Sequence, residues 1–545
     1  MGNLLEKSNM RLHIKSIFNV SLLGVLCLHG GFAIAAKTLV FCSEGSPEGF
    51  DPQLYTTAIS FQASSVPVFD RLVAFEIGTT KIQPALAESW TTSDDGLTVT
   101  FHLRHGVQFQ SNARFKPTRD FNADDVVFSF NRMGDPASPF HQLPAGQSFA
   151  YYLDMGMDKI IDKVQKMDNY TVVFTLKHPE APFIANLGMD FASIMSAEYA
   201  EKMKTLGMPE VINREPVGTG PFQFVSYQKD AVIRYKAFPG YWGGRPKLDN
   251  LIYAITPDAS VRYAKLKANE CQVMTLPKPA GIPLIKANPA FTLLSKEGLN
   301  VGYIAFNVEK KPFDNKLVRQ ALTLATDKNA ILNIVYQGAG QAAKNPIPPT
   351  LWSYNDKVVD YAYDPAKAKA LLTKAGYPNG AEVELWYLPV TRPYNPDGKR
   401  MAELIQSDWA KIGIKTKLAT YDWAEYVKRS NQGEQQVMMY GWNGDNGDPD
   451  NFFATLLGCD SIKGGGNKAR WCNSAFETLI QSAKRTPHQT ERAQLYEKAQ
   501  LIVHEEAPWI TIAHALRYAA VRKNVIGFKM SVFSEYEFQK VDMMP

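Results

Sequence analysis

The chain is poor in the residues and spacings that metal, nucleophile or nucleotide chemistry needs. Its 545 residues include nine histidines and five cysteines. No histidine pair forms HExxH: "HEE" at His504 to Glu506 lacks a second imidazole four residues along, which excludes a helix-borne zinc site of that kind. His102 and His105 flank a turn and read as solvent-facing. Neither a GxSxG elbow nor a GxxxxGK[ST] phosphate loop occurs. "GTGPF" (Gly218 to Phe222) and the glycines 464 to 466 match no nucleotide fingerprint and read as turns. There is no solenoid or propeller repeat, and no basic run interleaved with aromatics that would follow a phosphate backbone. The expectation is a protein without metal, cofactor or nucleic-acid partner, and not an enzyme.

What is present is ordinary globular material, 45% hydrophobic and 21% charged. It is too long for one hydrophobic core, so two or more domains are expected. The first 36 residues differ from the rest. Arg11 and Lys15 precede an apolar run from Ile17 to Leu28, and small residues end in "FAIAA". That is the layout of a secretory signal peptide cleaved after Ala36, and its apolar run of about 12 residues is short of the roughly 20 a spanning helix needs. Cys27 would be the attachment point if the leader were instead that of a lipoprotein, although Leu26 before it is larger than such cleavage prefers. The leader carries +2 (Lys7, Arg11 and Lys15 against Glu6), so the formal +5 of the whole chain becomes +3 in the mature one.

Removing the leader leaves Cys42, Cys271, Cys459 and Cys472. An even number in an exported chain points to two disulfides, with three pairings open. Cys459 and Cys472 enclose the glycine-rich "DSIKGGGNKARW" and form the natural local bridge, leaving Cys42 with Cys271 by elimination.

Strand-like and helix-like patterns alternate along the mature chain. "TVTFHL" (Thr98 to Leu103) and "TVVFTL" (Thr171 to Leu176) place alternate residues on opposite faces and predict half-buried antiparallel strands. "DPAKAKALLTKAG" from Asp364, "KRMAELIQSDWAKIG" ending at Gly413 and "DNKLVRQALTLATDK" from Asp314 predict capped helices. Two apolar strands stand far apart, "LNVGYIAFN" (Leu299 to Asn307) and "WITIAHALRY" (Trp509 to Tyr518), with helix density rising between them. A chain that leaves one lobe and returns to it on adjacent strands has a two-strand hinge. The predicted organisation is a larger, discontinuous lobe of residues 37–296 plus 516–545 and a second lobe of residues 297–515, in a mixed α/β fold.

The densest polar stretch is "GWNGDNGDPDNFF", Gly441 to Phe453. As a calcium loop starting at Asp445 it would need ligands where Gly447, Pro449 and Leu456 stand, so the register fails. Recognition of an organic cation suits it better: Asp445 near Trp442 in a glycine-rich turn can pair with an ammonium group while the ring excludes water. A zwitterionic ligand then needs a guanidinium elsewhere in the same cleft. Arg392, beside Pro393 and Tyr394, is the candidate. Asp448 and Asp450 read as turn and helix-cap residues leading into "NFFATLL".

From Lys37 almost to its end the chain resembles the peptide/nickel-type solute-binding proteins (family 5) of bacterial ABC importers, and within them the dipeptide-binding branch. The resemblance rests on "LAESWTTSDDGLTVTFHLRHGVQF", "NADDVVFSFNRM", "PVGTGPFQF", "ITPDASVRYAKLKANECQVM", "GLNVGYIAFNVEKKPFDNKLVRQAL" and "WNGDNGDPDNFFATL". It implies a two-lobed periplasmic-binding-protein fold of type II-like architecture, with mixed sheets and a two-strand hinge. It also implies a periplasmic location and a monomer that hands its ligand to an inner-membrane ABC permease. Carried over by position, Asp445 pairs with a peptide α-amine, Arg392 with the α-carboxylate, and Trp423 lines the site. The same two disulfides are implied. Thr56 and Thr57 lie in "LYTTAIS", where the strand-like ligand passes the larger lobe in relatives, and this loop departs from the dipeptide-binding pattern, as does "TLPKPAGIPLIKANPA". Close relatives are described as binding haem or glutathione, so both stand as alternative ligands beside short peptides.

Overall fold

The predicted alternation of apolar and polar side chains survives into the folded chain. In the strand Thr98–Leu103, Val99, Phe101 and Leu103 are buried while His102 is exposed, and it pairs antiparallel with Thr171–Leu176. With Ala87–Thr92 and Ile161–Asp168 these form a four-stranded sheet. The computed structural model describes residues 36–142, 147–533 and 536–544; the leader expected at the start, with Cys27, lies outside the described residues apart from Ala36.

A larger twelve-stranded mixed sheet runs through the rest of the molecule. Its organiser is the long strand Trp509–Arg522. The first half of this strand pairs with Asn300–Phe306, and its second half with Val273–Thr275 and with Phe291–Glu297. Asn300–Phe306 is buried at every position, as expected for a strand covered on both faces.

Buried apolar side chains gather into two large cores. One is built from Leu39 through Val273 together with Ala519 to Val541, the other from Leu299 through Ala515. The chain therefore passes from the first core to the second between Phe291–Glu297 and Leu299, and returns within Trp509–Arg522, where Ala515 belongs to one core and Ala519 to the other. Phe75 and Phe533 come from stretches expected in the larger lobe but pack in the second core, with ring centroids 4.7 Å apart. The architecture is two-lobed α/β with mixed sheets.

Helix ends follow their capping chemistry. The Asp364 carboxylate accepts from Lys367 N at 2.8 Å, with Pro365 opening the helix Pro365–Lys374, and Asp397 accepts from Arg400 N at 3.0 Å at the start of Gly398–Ala410. The helix expected from Asp314 begins at Lys316 instead, because the Asn315 side chain is the group that accepts from Leu317 N. Disulfides join Cys42 to Cys271 and Cys459 to Cys472. Among the described residues no helix is long and apolar enough to cross a membrane.

Candidate functional site

Arg392 is placed by a tight turn in the second core. Its backbone N–H donates to Asn395 O at 3.0 Å, and its carbonyl oxygen accepts in return from Asn395 N at 3.1 Å. The turn presses on two glycines that face each other across neighbouring strands, Gly302 and Gly441. A Cβ on Gly441 would fall 2.2 Å from the Tyr394 ring, and one on Gly302 would fall 2.3 Å from Tyr394 O. Only hydrogen in place of a side chain lets the turn sit this close. Tyr336 fastens it further, donating to Tyr394 O at 2.5 Å.

So held, the Arg392 guanidinium stacks over Trp423, 4.2 Å from the ring centroid, and hydrogen-bonds to Tyr394. The residue is 8% exposed, and among the described residues no carboxylate lies within ion-pair distance of it. Trp423 is itself stacked near Tyr440, with planes 8° apart.

Asp445 follows the end of the strand Val437–Asn443. Asn451 builds its surroundings: its Oδ1 accepts from Asp445 N and from Trp442 Nε1, both at 3.0 Å, and its Nδ2 donates to the Tyr151 hydroxyl at 3.2 Å. Tyr151, from the first core, donates in turn to the Asp445 carboxylate and meets Trp442 edge-on at 5.8 Å. Asp445 is 9% exposed and, among the described residues, has no cation in ion-pair range. Burial pushes its pKa up to about 8, opposed by the Tyr151 hydrogen bond and reinforced by the charge of Asp190.

Arg392 and Asp445 line one cavity. The structure also brings Thr56, Thr57, Tyr394, Trp423 and Trp442 to its wall, so all seven residues singled out from the sequence meet there. Thr57 contributes less than expected: its hydroxyl is turned to Glu48 Oε2 at 2.6 Å. The opposite side of the cavity carries residues that sequence reasoning missed, including Glu44, Leu276, Arg517 and Tyr536, with Tyr440 beside Trp423. No local motif marks them. Asn451 does lie within the "GDPDN" run and could have been read from it, whereas Tyr151 is 294 positions from its partner.

The other aspartates of that run have structural work. Asp448 accepts from Asp450 N at 2.9 Å, as a turn residue should, and also takes a two-pronged pair from Arg492 at 2.8 and 2.9 Å. Asp450 corrects the expectation of a cap. It is the first residue of the helix Asp450–Leu457, fully buried, and faces Lys484 at 3.7 Å, which also meets Glu180 at 3.3 Å. Burial raises the pKa of both carboxyls. Among the described residues no cluster of three or more His, Cys, Asp or Glu could hold a metal ion.

Comparison with known proteins places this geometry. Residues 81–464 match the family model "Bacterial extracellular solute-binding proteins, family 5 Middle". The chain is 53% identical over 535 residues to the dipeptide-binding protein of Escherichia coli (strain K12), covering 98% of this chain and all of that protein. It is 52% identical over 507 residues to heme-binding protein A of Haemophilus influenzae, covering 93% of this chain and 92% of that one. Among solved structures it resembles the dipeptide binding protein from Pseudoalteromonas sp. SM9913 in complex with Met-Leu. The TM-score is 0.91 at 37% identity, over 93% of this chain and all of that chain.

Proposed function

The chain belongs to family 5 of the bacterial extracellular solute-binding proteins, and on that premise we propose that it captures short peptides, dipeptides above all, by their two charged ends and delivers them to an ABC permease in the inner membrane. One observation carries the reading: a buried guanidinium and a buried carboxyl group, neither with an oppositely charged partner among the described residues, line the same cavity. Burial without a counter-ion makes a charged form costly, which is why the Asp445 carboxyl tends to keep its proton until a cation is supplied. A peptide zwitterion supplies both missing partners, its carboxylate to Arg392 and its ammonium to Asp445. The dipeptide-binding relative and the structure with Met-Leu support the same choice of ligand.

Walls from both cores explain capture. A ligand touching both favours the closed arrangement by its greater affinity for it, with the hinge at the two places where the chain changes core. The leader read in the sequence supports release into the periplasm as a free monomer, with a lipid anchor on Cys27 the less favoured route. The protein binds without cleaving, so incubated peptides should be recovered intact by mass spectrometry.

Calorimetry with a dipeptide and its end-blocked forms tests the assignment. N-acetylation or C-amidation should each weaken binding about 30-fold or more, the 2–5 kcal/mol of one buried charge partner. Equal binding by the blocked peptides would sink it. Haem is a second reading, favoured by the relative from Haemophilus influenzae and by the aromatic wall of Trp423, Tyr440 and Trp442. It calls for a Soret shift on titration with haemin that dipeptides do not compete away.

A further inference from the structure

The cavity holds more positive charge than a neutral dipeptide can use. Arg517 lies on the strand Trp509–Arg522, is 2% exposed, and lines the same cavity as Arg392 and Asp445. Its Nη1 donates to Ser531 O at 3.2 Å and its guanidinium stands 5.3 Å from the Tyr536 ring centroid. Its Nε is buried with no acceptor, and among the described residues no carboxylate reaches it within ion-pair distance. A guanidinium has five N–H donors, so among the described residues most of this one's hydrogen-bonding capacity is unanswered and its charge has no carboxylate partner.

Its neighbours sharpen the imbalance. Lys296 is the register partner of Arg517 on Phe291–Glu297, and its ammonium donates to a backbone oxygen, Gly78 O at 2.6 Å. Burial and the charge of Arg517 hold that ammonium below its ordinary pKa. Glu44 also lines the cavity but is not within ion-pair distance of Arg517. Among the described residues its buried Oε2 has no donor.

A dipeptide with neutral side chains brings one carboxylate, which Arg392 takes. We propose that Arg517 is a specificity-determining residue that pairs with a second carboxylate of the ligand, so that the cleft selects acidic peptides over their neutral isosteres. The proposal rests on the peptide reading above. A second carboxylate can come from an aspartyl or glutamyl side chain, or from a γ-linked glutamate as in glutathione.

Calorimetry on the wild-type protein with Ala-Glu against Ala-Gln, Glu-Ala against Gln-Ala, and glutathione decides it. At least one glutamate peptide, or glutathione, should bind tenfold or more tightly than the neutral peptides. Arg517→Met should bring that ratio near one; thermal melting checks the fold, and Arg517→Lys, which keeps the charge, should retain part of the preference. Equal affinity of acidic and neutral ligands for the wild type, or a ratio unmoved by Arg517→Met, overturns the role of Arg517 and leaves peptide binding standing. If no dipeptide binds at all, the peptide reading falls and this inference falls with it.

Discussion

The Tyr151 hydroxyl donates to the Asp445 carboxylate, tying a residue of the first core to the loop that leaves the strand Val437–Asn443 of the second. This bond works against the burial that raises the Asp445 pKa. Tyr151→Phe should therefore raise that pKa further and weaken peptide binding at pH 7 about 5- to 150-fold, the 1–3 kcal/mol of a buried acceptor losing its donor. Calorimetry over a pH series checks it: the acid limb of the affinity profile should move upward, and an unmoved limb removes Tyr151 as a positioning residue.

Ligand binding should be proton-linked with a change of sign. Below about pH 8 the free Asp445 is mostly protonated, and a peptide amine, with pKa of roughly 7.7–8.0, is charged. Forming the ion pair then expels close to one proton, so affinity rises with pH. Above about pH 8 both groups have lost their protons and complex formation takes one up, so affinity falls. The affinity maximum should lie near pH 8. Calorimetry in buffers of different ionisation enthalpy should show release at pH 6.5 and uptake at pH 9, and Asp445→Asn should lose the release.

Arg392 is held by stacking as well as by its turn. Arg392→Ala should weaken dipeptide binding at least about 30-fold. Trp423→Ala keeps the charge but loses the stacking surface, and a smaller loss of about 5- to 30-fold is expected for a contact worth about 1–2 kcal/mol. Affinities from calorimetry should keep that order, and a Trp423 effect exceeding the Arg392 effect contradicts it.

Gly441→Ala tests the platform beneath the site. The new methyl would meet the Tyr394 ring at 2.2 Å, and the facing Gly302 leaves the turn no room on the neighbouring strand. Overpacking of this kind typically costs about 1–3 kcal/mol. The denaturation midpoint should drop accordingly, and peptide affinity should fall because Arg392 moves with its turn.

Much of the fold was legible because strand and helix signals are local. "TVTFHL" alternates within six residues, and Asp364 with Pro365 announces a helix on its own. Asp445 could be read from "GDNGDPDN" as a partner for an ammonium group, whereas Arg392 in "TRPYNP" reads from the residues alone as a surface arginine and is singled out through the family resemblance. The opposite wall was not legible. Arg517 sits in an apolar strand like any edge arginine, and nothing nearby in sequence says that it is buried without a counter-ion. Asp450 looked like a cap, but Lys484, its partner, arrives from another helix 34 positions on.

By itself the sequence determined most of the elements and their caps, Asp450 and the start expected at Asp314 excepted, and pointed to the two charged residues proposed for the site, because backbone propensity and side-chain chemistry belong to residues and their near neighbours. Tertiary structure alone decided which segments share the cleft, that Tyr151 answers Asp445, and that Arg392 and Arg517 have no carboxylate within ion-pair distance among the described residues. Burial and counter-ion distance set both the cost of a charge and its pKa, and both arise only when residues hundreds of positions apart are packed together.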